Sequence, residues 1–121
     1  MKIMSEDKRP FFKIGSEVEK IFREMYVKLS YGIGNEFEIP MGIKNYYSLE
    51  VGDALYCEIV SLQDKGGENV RKIGVDVLVD IFKENEGVPL GRIPEAIFDL
   101  YEMQKNEYAH LRIKGIIREK Y

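Results

Sequence analysis

Apolar and polar positions alternate from Tyr26 to Tyr31, with Val27, Leu29 and Tyr31 on one side and Lys28 and Ser30 on the other. This predicts a half-buried strand. Before it, Val18, Ile21, Phe22 and Met25 fall at i, i+3, i+4 and i+7, and Ser16-Glu17-Val18-Glu19 supplies a capping box, so a helix is expected over residues 16–25. After a turn at Gly32-Ile33-Gly34-Asn35, Phe37 and Ile39 resume the alternation. Pro40 stops that strand because it has no amide for a ladder. Met41 to Tyr47 reads as a short helix, and Gly52-Asp53 turns into a strand over Ala54 to Leu62 with Leu55, Cys57 and Ile59 on one face. Lys65-Gly66-Gly67 marks a hairpin. Val70 to Phe82 is a long strand, with Ile73, Val75, Val77, Val79 and Ile81 on one face and Asp76 and Asp80 on the other. A polar break over Lys83 to Gly87, a second short helix over residues 95–103 behind Ile93-Pro94, and a last strand from Tyr108 to Ile117, with Gly115 as a candidate interruption, complete the order. The expected fold class is mainly β with short helices.

Two stretches match at an offset of 54 residues, one from Ile39 to Val60 and the other from Ile93 to Lys114. Ile39, Pro40, Ile43, Tyr47 and Ile59 recur as Ile93, Pro94, Ile97, Tyr101 and Ile113, and Leu49 and Asp53 align with Met103 and Glu107. The physical pattern recurs too: strand, proline, helical turn, acidic turn, strand. One such unit has open sheet edges, and two can close a barrel. The expected division is a tail and helical arm over residues 1–25 and a single β-barrel domain over 26–121, with half-repeats at about 26–66 and 70–117.

The length of 121 residues suits one domain, and 45% hydrophobic and 32% charged residues suit a folded one. Eighteen basic against 21 acidic residues give a net charge of -3, which excludes a globally basic nucleic-acid coat but leaves room for a local patch. The single cysteine, Cys57, forbids an intrachain disulfide and fits a reducing, cytoplasmic setting. No secretory leader or membrane-length apolar run is visible. One histidine and one cysteine cannot build a His/Cys zinc site, and no phosphate-binding glycine spacing occurs. Catalytic residues, metals and cofactors are therefore not expected, and the chain does not read as an enzyme.

The run Gly34-Asn35-Glu36-Phe37-Glu38-Ile39-Pro40, continued through Ile43, Leu49 and Gly52-Asp53-Ala54-Leu55 to Ile59, resembles the AbrB/SpoVT family of DNA-binding domains. The resemblance covers about 35 residues from Tyr26 to Val60, with a weaker second copy at residues 75–114. It implies a cradle-loop, swapped-hairpin barrel, here with a pseudo-two-fold axis inside one chain, and a related double-psi barrel is the neighbouring possibility. It also implies a duplex-DNA-binding transcriptional regulator, working through backbone contacts and forming homo-oligomers. Carried over residue by residue, the contacts fall on Lys28, Lys44 and Arg92. The family's usual basic position in the second strand is Glu36 here, and the second helix starts with Glu95 and carries Asp99. Acidic groups there repel phosphate.

Arg112 and Lys114, with His110 in the same row and Arg118 and Lys120 beyond, form the densest basic run, fit for nucleic acid or an acidic partner. The alternative for this run is an edge strand defended by charge. Lys13, Lys20 and Arg23 would extend a patch along the arm, against a plain charged face with Glu17, Glu19 and Glu24. Many tyrosines, among them Tyr47 and Tyr101 at equivalent positions, suggest barrel ends and an oligomer contact. Asp53 and Glu107 read as turn caps rather than a catalytic pair, Cys57 as a small buried group, and His110 as a lone surface histidine. The alternative function is a non-enzymatic protein-interaction or oligomerisation module on the same fold, without DNA.

Overall fold

The computed structural model describes residues 11–13 and 22–118. Along them run β1 (Phe11–Lys13), β2 (Glu24–Lys28), β3 (Glu36–Glu38), α1 (Met41–Tyr47), β4 (Ala54–Gln63), β5 (Val70–Asn85), β6 (Val88–Arg92), α2 (Glu95–Leu100) and β7 (Tyr108–Ile117). Every named strand pairing is antiparallel: β7 pairs with β1, β2 and β4, β4 with β5, β5 with β6, and β6 with β3. Ser30 and Tyr31 N–H then donate to the Glu36 carbonyl (3.1 and 3.0 Å), which ties β2 back to β3. The result is a mainly β, barrel-like sheet with, among the described residues, two short helices.

Burial follows the alternation. Val27 and Leu29 on the β2 side, Leu55, Cys57 and Ile59 on β4, and Val79 and Ile81 on β5 all point into one core. At its centre Phe37 faces Gly91 in register. A Cβ on Gly91 would lie 2.9 Å from Val79 Cγ1 and 3.0 Å from Phe37 Cζ, so only glycine admits the ring. Gly34 is constrained likewise: its φ is 112° and a Cβ would fall 2.6 Å from Lys105 Cα.

Backbone bonds recur along the chain at the offset seen in the sequence. Ile39 N–H donates to Pro89 O (2.9 Å), and Ile93 N–H to Asn35 O (2.8 Å). Lys44 N–H donates to Pro40 O and Phe98 N–H to Pro94 O (both 3.0 Å). Ser48 and Glu102, each just past a helix, share a φ of 53°, and Leu49 N–H to Lys44 O matches Met103 N–H to Phe98 O. Both helices start behind a proline, whose missing amide costs nothing at that point. The Gly52–Ile81–Asp53 exchange is repeated by Asn106, Leu29 and Glu107.

Several boundaries differ from expectation. Of the expected helix over 16–25, residues 16–21 lie outside the described residues, while Glu24 and Met25 belong to β2. Met25 satisfies both periodicities, and pairing with Leu111 on β7 decides for the strand. Residues 83–85 continue β5 because β6, which sequence reading missed, pairs with them as Lys83↔Leu90 to Asn85↔Val88. Pro89 and Gly91 disguise β6 as a loop. The second helix ends at Leu100. The register of β7 against β4 slips beside Gly115.

Candidate functional site

The outward faces of β2, β7, β4 and β5 form a ladder of paired charges. Lys114 Nζ donates to Asp76 Oδ1 (3.0 Å), and Tyr56 hydroxyl to Asp76 Oδ2 (3.0 Å). Arg112 donates through Nε to Glu24 Oε2 (2.9 Å) and through Nη1 to Glu58 Oε1 (3.1 Å). Glu24 also bonds the His110 ring, which stacks on Tyr26 at 4.3 Å. Partial burial pushes the Glu24 carboxyl up, but hydrogen bonds from Arg112 and His110 outweigh it and hold the group below its usual range. The hydrogen bond to Glu24 raises Arg112, and that to Asp76 raises Lys114. Arg112 and Lys114 of the expected C-terminal run therefore already serve carboxylates. Their partners Glu24, Glu58 and Asp76 were invisible as a set, because they come from three strands.

The other three expected contact residues lie apart from that ladder. Lys28 is exposed on β2, with its ammonium 6.0 Å from the Tyr108 ring centre. Lys44 sits in the last turn of α1 beside a shallow hollow with Asn45, Ser48 and Glu50. Arg92 covers the Phe82 ring at 4.4 Å and stands in register between Glu36 and Asp80. Lys28 and Lys44 line different hollows. The arm residue Lys20 lies outside the described residues, as does Lys120.

Asp53 and Glu107 act as turn caps. Asp53 Oδ2 accepts from Glu50 N–H (2.9 Å), and Glu107 Oε1 from Gln104 N–H (2.8 Å). Each helix end beyond them is closed by an arginine. Arg118 donates to the Tyr47 and Ser48 carbonyls (2.6 and 3.2 Å), and Arg71 to the Tyr101 and Glu102 carbonyls (2.9 and 3.1 Å). The last carbonyls of a helix lack internal donors, so cations serve them well. Sequence reading missed both arginines as a pair because they do not occupy equivalent places: 54 residues before Arg118 stands Asp64. Cys57 is fully buried, which pushes its thiol far above the usual range.

An opening lies between β2 and β3. After the Ser30–Glu36 contact the two strands part, leaving a cleft of about 420 Å³ lined by Tyr26, Lys28, Tyr31, Pro40, Met41 and Val88 among others. Tyr31 hydroxyl donates to Glu38 Oε2 at 2.6 Å, which raises the tyrosine above its usual range. Among the described residues no group of three His, Cys, Asp or Glu side chains is placed to hold a metal, and no helix is long and apolar enough to cross a membrane.

No family model matches the chain, and no curated protein matches it. Its fold is similar to the solution structure of PHS018 from Pyrococcus horikoshii, with a TM-score of 0.57 and 19% sequence identity over 83% of this chain and 97% of that one. At that identity the likeness concerns the fold alone.

Proposed function

We propose that the chain is a cytoplasmic, non-enzymatic interaction module, built as a cradle-loop barrel from two tandem half-repeats. The recurring bonds at a 54-residue offset support the duplication. The observation that carries the functional reading is the charge at equivalent positions. Arg92 corresponds to Glu38 and Arg112 to Glu58 at an offset of 54 residues, and Lys28 corresponds to Asp80 at the 52-residue offset of the first strand. A two-fold face on duplex DNA needs cations in both halves. Here those three cations are answered by carboxylates, which repel phosphate, and Lys44 and Lys114 are answered by Phe98 and Val60, so no cation recurs in the other half.

A DNA-binding regulator of AbrB/SpoVT type is the second reading. It is favoured by Lys28, Lys44 and Arg92, which are without an ion pair among the described residues. Fluorescence anisotropy with a labelled duplex at low salt separates the two. The module reading expects no salt-dependent binding. Binding that weakens steeply with salt, and that Lys44→Glu reduces across sequences, establishes the regulator instead.

A further inference from the structure

The cleft between β2 and β3 exists because strand edges that pair in one half are, among the described residues, left unpaired in the other. Leu29 exchanges both of its backbone groups with the β7 side, donating to Glu107 O and accepting from Asn106 N–H. Strand alternation then turns the groups of Met25 and Val27 toward β7, and those of Tyr26 and Lys28 away from it. Ser30 obeys the same parity, since its N–H reaches Glu36 on β3. On the facing strand, Ile39 N–H donates to Pro89 on β6, so the backbone groups of Glu38 point toward β2. Lys28 and Glu38 thus face each other as their counterparts Asp80 and Arg92 do, but only Asp80 and Arg92 pair. Side chains fill part of the gap: Ser30 hydroxyl donates to the Lys28 carbonyl at 3.2 Å, and Tyr31 occupies the Glu38 carboxylate.

We propose that this cleft binds a short extended peptide as an added strand along the free edge of β2, with an acidic side chain of the peptide paired to Lys28. The proposal rests on the interaction-module reading and specifies its partner. The groups offered by Tyr26 and Lys28 repeat every second residue, about 6.8 Å, which is the spacing an extended chain presents. Pro40, Met41 and Val88 offer an apolar wall for alternate side chains. Lys28 supplies the charge, because it is exposed and without an ion pair among the described residues. The slot is bounded by the Ser30–Glu36 bond at one end and, N-terminal to β2, by Phe22 stacked on Tyr46 of α1 at 4.1 Å. A whole strand edge from a second barrel does not enter such a slot, whereas a few residues of extended chain do.

The test is an NMR titration of the ¹⁵N-labelled full chain with a blocked pentapeptide of alternating valine and glutamate, beside the same peptide N-methylated at its central residue. Amide signals of Tyr26, Lys28 and Glu38 are expected to shift. N-methylation removes a ladder donor and should weaken binding at least ~10-fold. Lys28→Glu, at an exposed position, should weaken it to a similar extent and restore binding to a valine–lysine peptide. Equal binding of the methylated peptide, indifference to Lys28→Glu, or no shift at millimolar peptide overturns the proposal. Shifts confined to another face overturn strand addition while leaving the interaction-module reading intact. Salt-dependent duplex binding with no peptide response overturns both.

Discussion

In residues 24–63 the first two strands part beyond Ser30, whereas in residues 76–117 the corresponding strands stay paired from Asp80↔Arg92 to Asn85↔Val88, with one shift of register between Ile81 and Lys83. The bonds around each helix are otherwise the same in both segments. The backbone solution recurs because its demands recur. A strand ending in Ile-Pro must hand over to a helix, and each helix end must find donors for its last carbonyls. Side chains meet those demands by different routes. Arg118 reaches the end of α1 from just past β7, and Arg71 reaches the end of α2 from β5. Packing near the centre goes further, requiring the halves to differ: Phe37 and Gly91, 54 residues apart, face each other across β3 and β6, and two phenylalanines would not fit there.

The heaviest losses should come from changes at that central pair. Phe37→Ala should cost about 3–5 kcal/mol in urea denaturation, and Gly91→Ala about 1–3 kcal/mol through overpacking. Exchanging the two, Phe37→Gly with Gly91→Phe, should recover part of the summed loss of the single variants. Full additivity would mean the positions are not equivalent. The helix clamps come next. Arg118→Ala should cost about 1–2 kcal/mol because its side chain is only 23% exposed and Asp53 is buried beneath it. Arg71→Ala, at 42% exposure, should cost less than about 1 kcal/mol. An equal loss would show that exposure does not separate the two clamps.

A smaller effect concerns the charged ladder, which spans both segments. The folded-state pKa of Glu24 is depressed below its ordinary 4.5, so its contribution is present above that pH and is lost as pH falls through the folded value. Denaturation midpoints should therefore drop below about pH 4.5 in the native chain, and less so in Glu24→Gln. Parallel pH profiles for the two proteins would count against this. Smallest of all, Cys57 should resist a thiol reagent in the folded protein and react at the rate of unfolding, because burial suppresses its thiolate. Prompt reaction under native conditions would place it nearer the surface than the core around Leu55 and Ile59.

Much of the fold was legible because burial imprints itself locally. Alternation in Val27 and Leu29, in Leu55 to Ile59 and in Ile73 to Ile81 marked the inner faces, and the bounds of α1 followed directly from Pro40 and the apolar spacing. Strand β6 escaped because its Pro89 and Gly91 signal a turn, and only partners on β3 and β5 make it a strand. The candidate site was legible only in part. Lys28 was found as an exposed cation, but the cleft beside it was not, since a missing ladder bond leaves no mark in composition. Arg112 and Lys114 looked free along the chain and are bound to carboxylates on strands up to 88 residues away in sequence.

The inward faces, the proline-led helices and the turn caps Asp53 and Glu107 depend on residues close along the chain and can be read there, and the 54-residue spacing is read from the recurrence of that local pattern. Which cations keep their charge available, which arginine closes which helix and which seam stays open follow from the three-dimensional fold. Those outcomes depend on which strands meet, and pairing across the sheet is set by the packing of the whole core rather than by any local pattern.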